Sequence, residues 1–131
     1  MKKLMIIVCL FTLFTQYSCT HYFESKLKII NNSKEDVFFD IVFRKKIELL
    51  DSINSIGDTI KINNSKRPLE REFWEKIILR NSKDSILSVF FVKKSVLKKM
   101  PWKEIIQQKQ YKIQTYRIKD LENLNWVVIY K

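Results

Sequence analysis

Residues 85–92, SILSVFFV, form the strongest strand prediction in the chain. The run has the length of a strand and consists mostly of apolar β-branched and aromatic residues, which favour β-structure. Residues 37–43, VFFDIVF, have a similar composition and predict a second, buried strand. These two runs indicate that the fold is built around a β-sheet.

Four more runs of strand length are separated from these two by turn signals. The first is followed by the turn sequence NNS at residues 31–33, and another follows Gly57 and Asp58. One later run changes its alternation near Thr115, as a β-bulge would cause. The last run is apolar on both faces. The four runs are residues 27–30, 59–63, 111–118 and 126–130.

Residues 95–109, SVLKKMPWKEIIQQK, predict a late helix. Ser95 is a candidate N-cap for it. Pro101 indicates that a short helical turn ends there and that a new helix starts with proline near its first position. Apolar side chains then share one face of the second part. They are Trp102, Ile105 and Ile106.

The remaining segments complete the prediction of the fold. Residues 120–124 predict a single helical turn that buries Leu121 and Leu124. Residues 44–56 and 64–84 fit a helix as well as a strand. Six or seven short strands with one late helix predict a mainly β fold, a single sandwich-like or open-barrel antiparallel domain over residues 27–131.

The N-terminus has the features of an export signal. Lys2 and Lys3 precede an apolar segment of 11 residues, LMIIVCLFTLF, which has the length of the apolar region within a signal peptide and is too short to span a bilayer. Ser18 before Cys19 resembles the bacterial lipoprotein signal, in which the cysteine becomes the acylated first residue. The alternative is ordinary signal-peptidase cleavage after Thr20, which would remove the thiol.

The cysteine count favours lipidation at Cys19. Cys9 lies within the signal and leaves with it, so Cys19 has no partner for a disulfide. An unpaired thiol is a liability in an oxidising compartment, whereas an acylated one is not. The sequence therefore predicts a signal peptide at residues 1–18 and a tether at residues 19–26, held in the membrane by more than one acyl chain.

The basic charge does not indicate a nucleic-acid partner. Loss of Lys2 and Lys3 leaves 23 basic and 14 acidic residues, a net charge of +9. Lysine outnumbers arginine 20 to 5, there is no alanine and only one glycine, which together indicate a bias of codon usage. Proteins that read nucleic acid usually rely on arginine for bidentate contacts. An envelope location also argues against DNA.

Four motifs in the second half of the chain follow one another as VFFV, WKEI, DLENLNW and VVIY, at residues 89–92, 102–105, 120–126 and 127–130. With them the chain resembles a family of small uncharacterised lipoproteins of Bacteroides and related Bacteroidetes. The resemblance covers residues 27–130 and is specific only after residue 88. The family has Ser or Thr where this chain has Lys119, and Pro where it has Lys131. The resemblance implies an envelope lipoprotein and no activity.

The residue types exclude most catalytic and cofactor chemistry. His21, beside the proposed lipid, is the only histidine. A metal site therefore lacks enough ligands, and a catalytic nucleophile lacks a histidine held by the fold to activate it. Gly57 alone does not form a phosphate-binding loop. We therefore expect no metal, no cofactor and no catalytic residue. Hydrolysis by a pair of carboxylates that meet in the folded chain is the one reaction left open. The candidate residues are Asp36, Asp40, Glu70, Glu72 and Glu104.

Aromatic and basic side chains supply the candidate binding residues. Trp102 and Trp126 fit core positions, whereas Trp74 is either a core residue or a ligand-facing aromatic that stacks on a sugar. The basic residues between Lys93 and Lys99 either face anionic lipopolysaccharide or phospholipid, or form a solvated helix face.

Together these features predict an outer-membrane lipoprotein without enzymatic activity. Its β domain would bind or support an envelope protein or glycan. Thr20 is not the aspartate that retains lipoproteins in the inner membrane, and Glu24 stands alone without the acidic run typical of surface export, which favours the periplasmic face. The alternatives are an inhibitor or immunity-type lipoprotein and a small carboxylate-based envelope hydrolase.

Overall fold

The computed structural model describes residues 25–45 and 57–131. Within these two ranges the chain forms seven strands and four short helices. In chain order they are β1 Lys28–Asn31, β2 Val37–Val42, β3 Asp58–Ile60, β4 Asn64–Lys66, α1 Trp74–Asn81, β5 Ile86–Lys93, α2 Lys94–Leu97, α3 Trp102–Gln107, β6 Lys112–Arg117, α4 Ile118–Asn123 and β7 Val127–Tyr130.

The larger sheet is antiparallel and has the strand order β3-β2-β5-β6. Its central strand β5 is buried at every position except its last, Lys93. Phe39 of β2 is paired with Phe91 on one side of β5, and Ile113 of β6 with Phe90 on the other. The strand β5 is thus buried in the middle of the sheet, as its composition predicted. The mainly β fold with two sheets confirms the predicted fold class.

The smaller sheet has the order β4-β1-β7, and its β1–β7 pair is parallel. This pair differs from the antiparallel domain expected from the sequence. The chain reaches β7 from α4 through Asn125 and Trp126, which both have positive φ angles, of 51° and 59°. This left-handed turn directs β7 along β1 in the same direction, and Lys28 N donates to Trp126 O at 2.9 Å.

One large apolar cluster lies between the two sheets. It combines buried side chains of β1, β2, β5 and β7 with those of α1 and α4. The rings of Phe91 and Tyr130 meet across it with centroids 4.7 Å apart. The short turn between β3 and β4 joins the sheets along one side. Along the other side, Gln114 of β6 donates through Nε2 to the carbonyl oxygen of Ile129 at 3.2 Å.

A second apolar cluster covers the outer face of the larger sheet. Ile105 of α3 is fully buried against Phe90 and Val92 of β5. Trp102 contacts Phe90 edge-on, with ring centroids 5.2 Å apart. Pro101 is the N-cap of α3, as the sequence predicted. The late helix therefore docks on the sheet through the face that carries Trp102.

Several local expectations require correction. The strand β6 pairs with β5 in unbroken register from Lys112 to Arg117, so there is no bulge near Thr115. The Thr115 hydroxyl instead pairs with that of Ser88 at 2.8 Å. Leu124 is 46% exposed, because the chain turns out of α4 before it. Ser95 lies inside α2 rather than at its N-cap, which is Lys93.

The ambiguous and terminal segments also differ from the simplest expectation. Residues 74–81 form a helix, so the chain has more than the one late helix predicted. Trp126 precedes β7 rather than beginning it. Within β7 only Val128 and Tyr130 are buried, whereas Ile129 is 38% exposed. The last strand therefore buries one face, since the smaller sheet has apolar packing on one side only.

Candidate functional site

An open groove of about 450 Å³ lies beyond the C-terminal end of β1. The β1–β2 turn, the β3–β4 turn and the start of the α2–α3 segment form its walls. Four lysines line it, together with two carboxylates and the exposed side chain of Ile62. We call this feature the lysine groove, and its lysines are Lys34, Lys94, Lys98 and Lys99.

Asn31 holds the walls of the lysine groove together. Its side chain is fully buried at the end of β1. The amide nitrogen donates to the carbonyl oxygens of Glu35 at 2.8 Å and Ile60 at 3.1 Å. The amide oxygen accepts from the backbone and the hydroxyl of Ser33 at 3.0 and 2.7 Å. The predicted turn at residues 31–33 is thus confirmed, and Asn31 fixes it to the end of β3.

The two carboxylates of the groove are engaged in structural contacts. Glu35 accepts from the Ser95 hydroxyl at 2.6 Å and pairs with Lys93 at 3.3 Å. The bond from Ser95 and the charge of Lys93 outweigh the effect of desolvation and hold the pKa of Glu35 below its usual value. Asp36 accepts from Ile62 N at 3.2 Å and from Lys94 Nζ at 3.4 Å.

Three lysines of the groove stand apart from the ion pairs found in the described part of the chain. Among the residues that the structure describes, no acid lies within ion-pair distance of Lys34, Lys98 or Lys99. All three are exposed. Since the groove acids are already paired with Lys93 and Lys94, the remaining charge of the groove is positive. The arrangement suits an anionic ligand or partner.

A second, smaller cleft of about 70 Å³ holds two of the candidate carboxylates, Asp40 and Glu70. Its walls include Phe43 and the indole of Trp74. Burial raises the pKa of Glu70 above its usual value, against the opposing charge of Arg80. A carboxyl group that is harder to ionise, beside a second carboxylate, is an arrangement that can perform general acid–base chemistry.

The other candidate carboxylates lie outside this cleft. Glu72 is paired with Arg80 at 2.7 Å in an adjacent, wider depression of about 550 Å³ that Glu70 also lines. Asp36 belongs to the lysine groove, at the opposite end of β2 from Phe43. Glu104 is an exposed residue of α3. The structure thus places Asp40 and Glu70 in one cleft and Glu72 beside Glu70 in the adjacent depression, and it separates Asp36 and Glu104 from them.

The three tryptophans do not form one exposed platform. Trp74 is 2% exposed, and its indole nitrogen donates to the hydroxyl of Ser25 at 2.6 Å. It takes the core position that the sequence had left open, and only an edge of it reaches the small cleft. Trp126 is 6% exposed in the same apolar cluster. Trp102 packs in the second cluster, on the outer face of the larger sheet.

The predicted lipid attachment site, Cys19, and His21 lie outside the described residues. Ser25 and Lys26, which the sequence had assigned to the tether, are bound to the domain. Arg67 donates to the carbonyl oxygens of both, at 3.1 and 3.2 Å. Lys26 forms an ion pair with Glu75 and lies 4.2 Å above the centre of the Trp126 ring. Ser25, six residues after Cys19, is therefore part of the packed domain.

Two further properties concern the described ranges alone. Residues 25–45 and 57–131 contain no group of three or more His, Cys, Asp or Glu side chains placed to hold a metal ion. No helix in this part of the chain has both the length and the apolar character needed to cross a bilayer.

Comparisons of the chain with protein-family models, with curated proteins and with solved structures find no match. The lysine groove and the cleft of Asp40 and Glu70 are therefore the features that indicate a function. Sequence reasoning had singled out the basic residues from Lys93 to Lys99 but had missed Lys34 and Asn31. No local signal identifies these two, because the groove forms only when α2 meets the β1–β2 turn, about 60 residues away.

Proposed function

We propose that the chain is a lipid-anchored protein of the bacterial outer membrane whose β domain is a non-enzymatic binding module. The observation that carries the binding role is the lysine groove, where three lysines that have no acidic partner among the described residues line one open depression. The partner is an anionic component of the envelope. The anchor is supported by the sequence, in which Ser18 and Cys19 follow an apolar segment of signal length.

The position of the domain's entry point supports this division of roles. Ser25 precedes β1, whereas the lysine groove lies beyond the other end of the same strand. A tether of six residues or fewer reaches about 20 Å when extended. A lipid on Cys19 would therefore hold the Ser25 end close to the bilayer and present the groove on the far side of the domain.

Metabolic labelling with a fatty acid tests the anchor. The wild-type chain is expected to take up label and Cys19→Ala is not. Cys9→Ala is the matched control, because Cys9 lies in the segment removed with the signal, and it should label like the wild type. Label that persists in Cys19→Ala, or a mature chain that starts at His21, would refute lipidation.

Photo-crosslinking in the native envelope tests the groove as the docking site. A photo-reactive residue at Ile62, which is 46% exposed in the groove, should give an adduct that disappears when Lys98 and Lys99 are changed to glutamate. The same residue at Leu79, which is 60% exposed on α1, is the control and should not give this adduct. Equal adducts from both positions would contradict a specific site.

The cleft of Asp40 and Glu70 favours a second candidate, a small carboxylate-based hydrolase. The raised pKa of Glu70 is what a general acid requires, and Asp40 would be the second carboxylate. Release of reducing ends from envelope glycans is the assay. Activity that is lost in Glu70→Gln and Asp40→Asn, but retained in the exposed control Glu104→Gln, would replace the first proposal. Absence of activity in the wild type would remove this candidate.

A further inference from the structure

We infer that the lysine groove is a site for phosphate groups, with Lys34, Lys98 and Lys99 as the charges that hold them. The inference relies on the proposed function in treating the groove as the binding site. It does not depend on the lipid anchor. The shared chemistry is a phosphate ester or diphosphate, and its two sources are the head group of an anionic phospholipid and a phosphate that is not part of a bilayer.

The types of basic residue in the groove favour phosphate over carboxylate. All four basic side chains that line it are lysines, and no arginine is among them. Arginine is the usual partner of a flat carboxylate, because its planar fork matches both oxygens. Lysine acts as a compact point charge, which suits a tetrahedral group with more than one negative charge. Several such ammonium groups around one depression can approach a phosphate from different sides.

The groove is also built so that its charges stay together. The backbone nitrogen of Lys94 donates to Asp36 O at 2.9 Å, which fixes the start of α2 to the β1–β2 turn. A side-chain hydrogen bond, from the Ser95 hydroxyl to the Glu35 carboxylate, connects the same two segments. Lys98 and Lys99 follow directly after α2, and Lys34 of the β1–β2 turn lines the same groove. The fold therefore holds these like charges close together despite their mutual repulsion, and a bound anion would reduce that repulsion.

The remaining wall of the groove indicates what carries the phosphate. Ile62 leaves 46% of its side chain exposed in the groove. An apolar surface beside positive charge fits a phosphate attached to a less polar body better than a bare ion. The groove volume of about 450 Å³ has room for more than the phosphate itself.

The test measures binding of pyrophosphate to the full mature chain by isothermal titration calorimetry. The protein is held in phosphatidylcholine nanodiscs if it carries its lipid, and in buffer if it does not. The double variant Lys98→Gln/Lys99→Gln should weaken binding about tenfold or more, because hydrogen bonds between charged groups are strong. Lys103→Gln/Lys109→Gln removes the same charge from exposed positions on and after α3, and should change affinity by less than about twofold.

Three results would overturn the inference. One is absence of pyrophosphate binding to the wild type. Another is equal weakening in both double variants, which would show attraction to net charge alone. Citrate is the carboxylate control, and tighter binding of citrate than of pyrophosphate would also contradict a phosphate site.

A flotation experiment distinguishes the two sources of phosphate. Separate vesicles of phosphatidylglycerol are mixed with the nanodisc-held or soluble chain. Co-flotation that requires Lys98 and Lys99 identifies a phospholipid head group. Pyrophosphate binding without co-flotation identifies phosphate outside a bilayer. If fatty-acid labelling fails while pyrophosphate binding persists, the anchor is refuted and the phosphate site stands.

Discussion

The indole nitrogen of Trp74 donates a 2.6 Å hydrogen bond to the hydroxyl of Ser25, a residue 49 positions earlier in the chain. Both side chains are buried, with exposed fractions of 2% and 4%. The bond connects the first turn of α1 to the segment that precedes β1. Since a buried indole N–H without an acceptor is costly, this contact explains why Ser25 is packed against the domain although the apolar run that predicts the first strand covers only residues 27–30.

Replacing Ser25 with alanine leaves the indole nitrogen of Trp74 without its acceptor. The expected loss of stability is about 1–3 kcal/mol, which corresponds to a lower melting temperature by about 4–8 °C per kcal/mol for a domain of this size. Thermal unfolding followed by circular dichroism measures it. Ser65→Ala is the control, since among the described residues its hydroxyl forms no hydrogen bond. Equal melting of both variants would show that the Trp74–Ser25 bond contributes nothing.

Trp126 and Trp102 should differ in their effect on stability. Trp126 is 6% exposed within the large cluster, so Trp126→Ala is expected to cost about 3–5 kcal/mol. Trp102 is only partly buried in the smaller cluster, so Trp102→Ala should cost less. Urea denaturation of both variants gives the comparison. A larger loss for Trp102 would contradict the assigned packing, and wild-type stability of both would reopen their role as ligand residues.

Gly57 has no room for a side chain. A Cβ atom at this position would meet the ring of Phe38 and lie 2.9 Å from the carbonyl oxygen of Phe39 in β2. Gly57→Ala should therefore separate β3 from β2 and destabilise the protein by about 1–3 kcal/mol. Asn63→Gly is the contrast, because the φ of Asn63 is already +53° and glycine accepts this angle without strain. Chemical denaturation that ranks Asn63→Gly as the more harmful variant would contradict both expectations.

The raised pKa of Glu70 predicts a dependence of stability on pH. Because burial makes this carboxyl harder to ionise, the folded chain retains its proton at pH values where the unfolded chain has lost it. The contribution of Glu70 to stability therefore falls as the pH rises from its ordinary pKa of 4.5 to the raised value, and stays low above it. Glu70→Gln removes this effect.

We expect the stability of Glu70→Gln relative to the wild type to increase between about pH 4 and pH 7. Melting temperatures across this range measure the difference. Glu104→Gln, at an exposed position on α3, controls for the loss of one negative charge. A relative stability of Glu70→Gln that falls with pH would show that the carboxylate form of Glu70 is the one that folding favours.

The strands and helices that were predicted correctly from the sequence are those whose formation depends on neighbouring residues in the chain. The strands β2 and β5 were recognisable because each forms a dense run of apolar β-branched and aromatic residues in the chain itself. Pro101 marked the start of α3 for a similar reason, since its effect on the backbone is local. The sequence of α1 fitted a helix as well as a strand. Its buried side chains pack against Ser25 and against strands that are distant in sequence, so the local pattern did not decide between the two.

Pairing and site geometry depended on contacts that no local pattern contains. The parallel pairing of β1 with β7 joins residues almost 100 positions apart, and its cause is the left-handed turn at Asn125 and Trp126. The basic residues of α2 were visible in the sequence, whereas their meeting with Lys34 depends on Asn31, Glu35 and Asp36. Asp40 and Glu70 share a cleft only because the fold brings them together, and no local pattern in the sequence predicts this.

The central place of β1 in the smaller sheet has a mechanical consequence. A force that pulls on the N-terminus enters the domain at Ser25 and acts along β1, between β4 and β7. The bonds from Lys28 N to Trp126 O and from Asn32 N to Tyr130 O lie across this direction and share the load. Strands loaded in this way must slide past one another rather than separate one bond at a time. The domain would thus resist unfolding by a pull on its N-terminal end more strongly than its modest size suggests.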